Sequence, residues 1–330
     1  MTNTIYLGTS NGLSISTDNG DTWTQKHKSD GLPGTQINKV LLSSGNIYLA
    51  TSGLGLNVDE GGVAYSSDGG SSWIIYNTNN KLPNNWVYDI SLVGTKLAAA
   101  TANGLATSEN AGVTWTARNM TDGLGSPIVR SIASLGSSIF AGCVGVSRLY
   151  VKTKTNFDSI SPSKTGEHLL NGGLSVSTDS GVTWTNKDKS TSLLDSWVNR
   201  VYTSGSYVYI STDRGLARSS NGGTTWETIL LASPENPYPV TDVFVDGPSI
   251  YATAMGGLFI STNNGASWVR KGVENNMLSN HALCVRASGS NIYVGTAFGL
   301  SISKDSGTTW TNKRVEDGLS SNSILSIALA

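Results

Sequence analysis

Between Trp197 and Leu230 the chain reads "WVNRVYTSG", "SYVYISTD", "GLARSSNGG" and "TTWETIL", four short runs rich in Val, Ile, Tyr and Thr. β-Branched and aromatic residues in runs of this length favour strands. Gly, Ser, Asn and Asp bound each run, and these residues close tight turns. A helix would need apolar residues at i, i+3, i+4 and i+7 over several turns, and no segment carries them. The predicted class is all-β, built from units of four short antiparallel strands.

The last of these runs follows a turn that the chain writes seven times. "STDNGDTWT" at 16–24 returns as "SSDGGSSWI" at 66, "SENAGVTWT" at 108, "STDSGVTWT" at 177, "SSNGGTTWE" at 219, "STNNGASWV" at 261 and "SKDSGTTWT" at 303. The tryptophans that close the turns, Trp23, Trp73, Trp115, Trp184, Trp226, Trp268 and Trp310, are spaced by 50, 42, 69, 42, 42 and 42 residues. A unit of 42 residues with four strands is a propeller blade, so seven units predict one seven-bladed β-propeller over 1–330. The chain opens on "TIYLGTS", which matches the second strand of a unit, and ends on "NSILSIALA", which matches the missing first strand. The C-terminal strand is therefore expected to pair into the first blade and close the ring, which removes the exposed edges of an open array.

The pattern Ser-x-Asp-x-Gly-x-Thr-Trp resembles the Asp-box, or BNR repeat, of sialidases and many other propellers, with one copy per blade. The resemblance implies a structural turn between the third and fourth strands, away from the ligand face. Turn chemistry agrees: Ser16 and Asp18 can accept backbone N–H bonds, Gly20 supplies a positive φ, and Trp23 is expected to fill the wedge between blades. Asp68, Asp179 and Asp305 repeat the acidic position, while Asn110, Asn221 and Asn263 replace it in three blades. A catalytic or metal role would not tolerate that replacement; a turn acceptor does.

Both insertions, 52–62 and 143–173, fall between the second and third strands of their units, and equivalent loops elsewhere are as short as "TSNG". In a propeller these loops share a face with the connections between blades, so one face is elaborated and the other plain. Loops varied on a rigid scaffold are where binding resides. Near the mouth of that face Trp86 and Trp197 hold equivalent positions, each just after a blade with an insertion. They are read either as floors for the inserted loops or as an aromatic platform for a sugar. Candidate ligand contacts nearby are Asn57, Asp59, Arg148 and Tyr150, with Tyr238 and His281 farther round. A second ring, at the channel, reads Lys39, Asp89, Ser131, Arg200, Asp242, Cys284 and Ser326. Ion pairs between neighbouring blades, Lys39 with Asp89 and Arg200 with Asp242, are expected there. Asp89 and Asp242 stand across the ring, which leaves a paired-carboxylate site of the glycosidase kind open.

Charge narrows the partners. Charged residues are 14% of the chain and the net charge is −1, which offers no footprint for nucleic acid or an anionic membrane. No apolar run is long enough to cross a bilayer, so no membrane insertion is expected. The two cysteines, Cys143 and Cys284, make no disulfide framework, and the three histidines share no ligand spacing, so neither metal nor cofactor is expected. A surface rich in hydroxyls and amides favours an extracellular or cell-surface address, yet no signal peptide is visible and a cytoplasmic one stays open.

Three functions remain. The first is non-enzymatic recognition, of a glycan in the manner of a lectin, through the elaborated face. The second is an assembly scaffold for partner proteins, since single seven-bladed propellers with Asp-boxes also resemble photosystem assembly factors. The third is a glycoside hydrolase of the Asp-box type. The Arg-Ile-Pro segment of sialidases is missing, those enzymes have six blades, and xyloglucan-degrading relatives work in a cleft between two propellers. The reading is binding without catalysis, with sugar ahead of protein.

Overall fold

The computed structural model describes residues 4–54, 59–147, 169–170, 172–191, 193–229, 231 and 238–330. They form seven four-stranded antiparallel sheets, each ordered from its first strand to its fourth. The first strands of successive blades touch one another in a closed circuit. We number the blades 1–7 from the N-terminus and letter their strands A–D from the channel to the rim. Blade 5 is representative: Val198–Ser204, Tyr207–Thr212, Gly215–Ser219 and Glu227–Ile229. Blade 1 takes strands B–D from Ile5–Thr9, Gly12–Ser16 and Thr24–Lys26, and strand A from Ile324–Leu329 at the other end of the chain. Ile5 pairs with Leu329, Tyr6 with Ala328 and Leu7 with Ile327, so the ring closes as expected.

Strands A and B carry the core. Their apolar residues fill the seven seams between blades, and one Asp-box indole stands in each seam. Trp23 packs with Ile5 and Leu7 of its own blade and with Leu300 and Ile302 of blade 7. Trp73, Trp115, Trp184, Trp226, Trp268 and Trp310 repeat this placement round the ring. Each fully buried Val, Leu or Ile contributes about 1.5–3 kcal/mol, which makes these seams the main source of stability.

The Asp-box turns behave as their chemistry predicts. Ser16 Oγ accepts the Gly20 N–H at 2.8 Å, and Asp18 accepts the N–H groups of Asp21 and Thr22 at 3.1 and 2.9 Å. Gly20 has φ +91°, and a Cβ there would press on Ile302 of blade 7 at 2.7 Å. The Asn variants keep the same frame by turning one hydroxyl round. Thr22 donates to Asp18, whereas Asn110 Nδ2 donates to Thr114 Oγ1 at 3.0 Å while its Oδ1 still accepts the Thr114 N–H.

Asp18, Asp68, Asp179 and Asp305 are all held below the usual carboxylate value of 3.8, first by a Thr or Ser hydroxyl and next by a backbone N–H; Asp305 falls to about 2. A carboxylate with a depressed folded pKa adds stability that is present above its unfolded value and lost as pH falls through its folded one. Replacing all four by Asn should therefore flatten the fall in Tm between about pH 5 and about pH 2, read by calorimetry. An unchanged slope would move the acid sensitivity elsewhere.

A second repeated turn was not anticipated from the sequence. Among the described residues, six connections from strand D to the next blade contain a single 3₁₀ turn: Lys28–Asp30, Thr78–Asn80, Met120–Asp122, Lys189–Thr191, Val273–Asn275 and Val315–Asp317. The side chain of its third residue accepts the N–H that precedes the turn, as Asp30 does from His27 at 2.8 Å and Asp317 from Arg314 at 2.8 Å. A buried Leu or Met follows: Leu32, Leu82, Leu124, Leu193, Met277 and Leu319. Three residues are too few to show helical periodicity, and only the recurrence of "DGL" and its variants could have revealed them.

The insertions leave the blades intact. Thr9 Oγ1 donates to Gly12 O across a short B–C turn at 2.9 Å, and Thr51 makes the same bond to Gly62 at 3.0 Å across the longer one. In blade 4 Cys143 pairs with Gly173, and Val146–Ser147 and Leu169–Leu170 continue the hairpin beyond the blade. Both insertions thus leave from the same end of their blades, the B–C end.

Candidate functional site

The B–C end of the ring opens onto a concave mouth. Every strand A enters it through a β-bulge: one extra residue stands between Ile37 and Lys39, Val87 and Asp89, Val129 and Ser131, Val198 and Arg200, Val240 and Asp242, Ala282 and Cys284, and Ile324 and Ser326. A bulge breaks the alternation of faces, so the extra residue and the one after it both reach the channel. The seven extra residues, Asn38, Tyr88, Arg130, Asn199, Thr241, Leu283 and Leu325, line a cavity of about 200 Å³ with Arg200, Asp242 and Arg286. Several also stitch neighbouring blades. Asn38 donates to Val87 O at 2.8 Å, Asn199 to Val240 O at 3.2 Å and Thr241 to Ala282 O at 2.8 Å.

Beneath the mouth lies the predicted channel ring. Ser326, Asp89, Ser131 and Asp242 each accept an N–H from the next blade, at Val40, Ile132, Val201 and Val285, over 3.0–3.2 Å. The expected neighbour pairs are present: Lys39 Nζ lies 3.8 Å from Asp89 Oδ1, and Arg200 Nε lies 3.1 Å from Asp242 Oδ1. Two contacts extend them. Arg200 also reaches back to Asp89 Oδ2 at 3.3 Å, and Arg286 meets Asp242 Oδ2 at 2.9 Å. Arg200 thus bridges the two carboxylates that face each other across the ring.

This lattice sets the charge states. Burial would raise the Asp242 carboxyl, but Arg286 and Arg200 beside it, with Lys39, outweigh burial and hold it below the ordinary value. Burial and then Arg200 push the Lys39 ammonium down to about 7. Burial takes the Cys284 thiol up to about 12, so it is no nucleophile at neutral pH. Cys143 and Cys284 are both buried and free.

The predicted ligand contacts disperse. Trp197 is half-buried and packs on Ile128 and Val144, the pair on which the cavity residue Tyr88 also packs. Trp86 is half-buried, and its backbone N–H is taken by Asn84 Oδ1 at 2.7 Å. Tyr238 lies on Phe259, with ring centroids 5.7 Å apart, and over Gly256, where a Cβ would strike its ring. His281 is half-buried, and Asp59 is exposed with its carbonyl held by Asn85. Asn57, Arg148 and Tyr150 lie outside the described residues. Of the predicted channel ring, Arg200, Asp242, Cys284 and Ser326 line the cavity; of the predicted ligand contacts that fall on described residues, none does. Sequence reasoning missed Tyr88, Arg130 and Arg286. Arg286 had a signal, since it stands two residues after Cys284 and so shares its face. The bulge residues had none, because strict alternation points them away from the channel. Among the described residues, no helix is long and apolar enough to cross a membrane, and no group of three or more His, Cys, Asp or Glu could hold a metal ion.

No family model matches the chain, and no curated protein matches it. Solved structures do. The chain is similar to YCF48 bound to D1 peptide, at 14% identity and a TM-score of 0.58, over 93% of this chain and 87% of that one. It is similar to the GH74 xyloglucanase from Xanthomonas campestris at 14% identity and a TM-score of 0.61, where 92% of this chain spans 50% of that one. It is also similar to PorZ, a bacterial surface component of the type-IX secretion system of Porphyromonas gingivalis, at 15% identity and a TM-score of 0.61, over 91% of this chain and 43% of that one. Likeness at such identities concerns architecture, and the architecture these comparisons share with this chain is the β-propeller.

Proposed function

We propose that the protein is a recognition propeller that binds carbohydrate at the B–C face and catalyses no reaction on it. The observation that carries this reading is the contrast between the two ends of the ring. The Asp-box end repeats one turn, while the B–C end presents a cavity whose seven bulge residues combine amides, a hydroxyl, a phenol and a guanidinium. Amides and hydroxyls beside aromatic faces suit the alternating polar edges and apolar faces of sugar rings. Trp197, which shares the Ile128–Val144 floor with Tyr88, and Trp86 are the aromatic candidates.

Against catalysis stands the state of the carboxylates. A glycosidase needs one carboxylic acid that keeps its proton near neutral pH. Asp242 is held ionised, and Arg200 stands between it and Asp89. An extracellular or cell-surface address fits a glycan-binding role.

A second reading, a protein partner, is favoured by one observation. Met255, Val273, Phe298 and Val315 are 47–58% exposed on the B–C side of blades 6 and 7. A glycan array separates the two. Parent protein should bind a defined set of glycans, and the double variant Trp86→Ala/Trp197→Ala should lose that binding while its Tm shows that it still folds. A blank array with the parent would retire the carbohydrate reading in favour of a protein partner.

A further inference from the structure

The channel as a whole carries more cationic side chains than carboxylates. Lys39, Arg200 and Arg286 have side chains only 13–14% exposed, and the carboxylates that meet them are those of Asp89 and Asp242. Both oxygens of Asp242 meet a cation: Oδ1 faces Arg200 Nε without hydrogen-bond geometry, while Oδ2 takes Arg286 and the Val285 N–H. Arg130 adds a fourth cation at the mouth. Its guanidinium lies 4.9 Å over the Tyr88 ring, and among the described residues it makes no ion pair. The cavity lining therefore presents three guanidinium groups, those of Arg130, Arg200 and Arg286, and one carboxylate.

Cations withdrawn from water without matching anions are costly, and an anion that enters among them recovers much of that cost. A guanidinium offers paired N–H groups in a plane, which matches two oxygens of a carboxylate or sulfate. The space is adequate: about 200 Å³, several times the ~30 Å³ share of one water molecule.

We propose that this cavity is an oxyanion site which receives a carboxylate or sulfate carried by a sugar, with Arg130 and Arg200 as its principal donors. The anion follows from the charge balance alone; the sugar as its carrier rests on the carbohydrate reading above. The Tyr88 ring lies against the Arg130 guanidinium, and both residues line the cavity. Lys39 lies on the far side of the ion lattice, at the opposite end of the channel with Phe244 and Arg286. Its ammonium is depressed first by burial and only then by Arg200.

The test titrates the full chain with sodium sulfate against sodium chloride at matched ionic strength, by calorimetry and by Tm. It then repeats the titration with glucuronate, glucose 6-sulfate and neutral glucose. Sulfate should bind and raise Tm beyond chloride, and both acidic sugars should bind more tightly than glucose. Arg130→Gln should leave the ligand-free Tm unchanged, because Arg130 is exposed and outside the ion lattice. It should weaken sulfate and acidic-sugar binding by about ten-fold, the loss of one charge-assisted contact. Equal binding by R130Q and parent, or sulfate no better than chloride, would overturn the site. Sulfate binding with no gain for either acidic sugar over glucose would keep the anion site and overturn the sugar carrier, separating the two readings.

Discussion

A chain ending at Ser323, without its last seven residues, is expected to lose its monomeric fold. Those residues supply strand A of blade 1, which pairs from Ile324 to Leu329 with the N-terminal strand. Ile324 and Ile327 are 0% and 1% exposed and pack with Ile5, Leu7 and Cys284. Ser326 also caps the Val40 N–H of blade 2. Removing two buried isoleucines forfeits about 3–6 kcal/mol, and the apolar faces they cover on blades 1, 2 and 7 become wet as well. The total rivals the ~5–15 kcal/mol net stability of an ordinary domain. The bared edge of Ile5–Thr9 would be free to pair with other chains. Gel filtration should show aggregates, and calorimetry should show no cooperative transition. A monomeric truncated chain with a sharp melt would mean that ring closure contributes little.

The second large effect is expected at Arg200. Arg200→Met leaves Asp89 and Asp242 facing each other across the channel without the charge between them. Breaking a buried ion network by removing one partner costs about 3–5 kcal/mol. The lower end is expected here. Asp89 retains Lys39, Ser131 and two backbone N–H groups, and Asp242 retains Arg286 and the Val285 N–H. Because the deficit is an uncompensated carboxylate, adding Asp89→Asn to R200M should recover at least half of it, although D89N alone in the parent is destabilising. Urea denaturation at neutral pH gives all three values. Simple additivity of the two substitutions would show that Arg200 and Asp89 are not coupled, and the lattice described above would fail.

The ion lattice also shapes the functional reading. It lies between the B–C cavity and a second hollow lined by Lys39, Phe244 and Arg286. In the proposed site, Arg130, Arg200 and Arg286 would select a ligand by its negative group. The insertions of blades 2 and 4 leave from that same B–C end, and the strands that flank them keep their pairing.

Much of this was legible in the chain itself. The seven turns gave the blade count because each repeats Ser, Asp or Asn, Gly and Trp at fixed offsets, and local hydrogen bonding needs nothing from the rest of the molecule. Closure by "ILSIALA" was legible because a missing strand and a surplus strand matched. The pairs Lys39–Asp89 and Arg200–Asp242 followed from register alone, since equivalent residues of adjacent blades must be neighbours. Tertiary structure decided what register cannot express. The bulge before each ring residue turns Tyr88 and Arg130 into the channel, against the alternation their strands display. The curvature of the ring brings Arg200 to Asp89 two blades away, and Arg286 to Asp242 in the next. Periodicity along a strand fixes which face a side chain takes while the pleat is regular; which side chains meet across an axis depends on the radius at which seven twisted sheets close, and no local pattern encodes that distance.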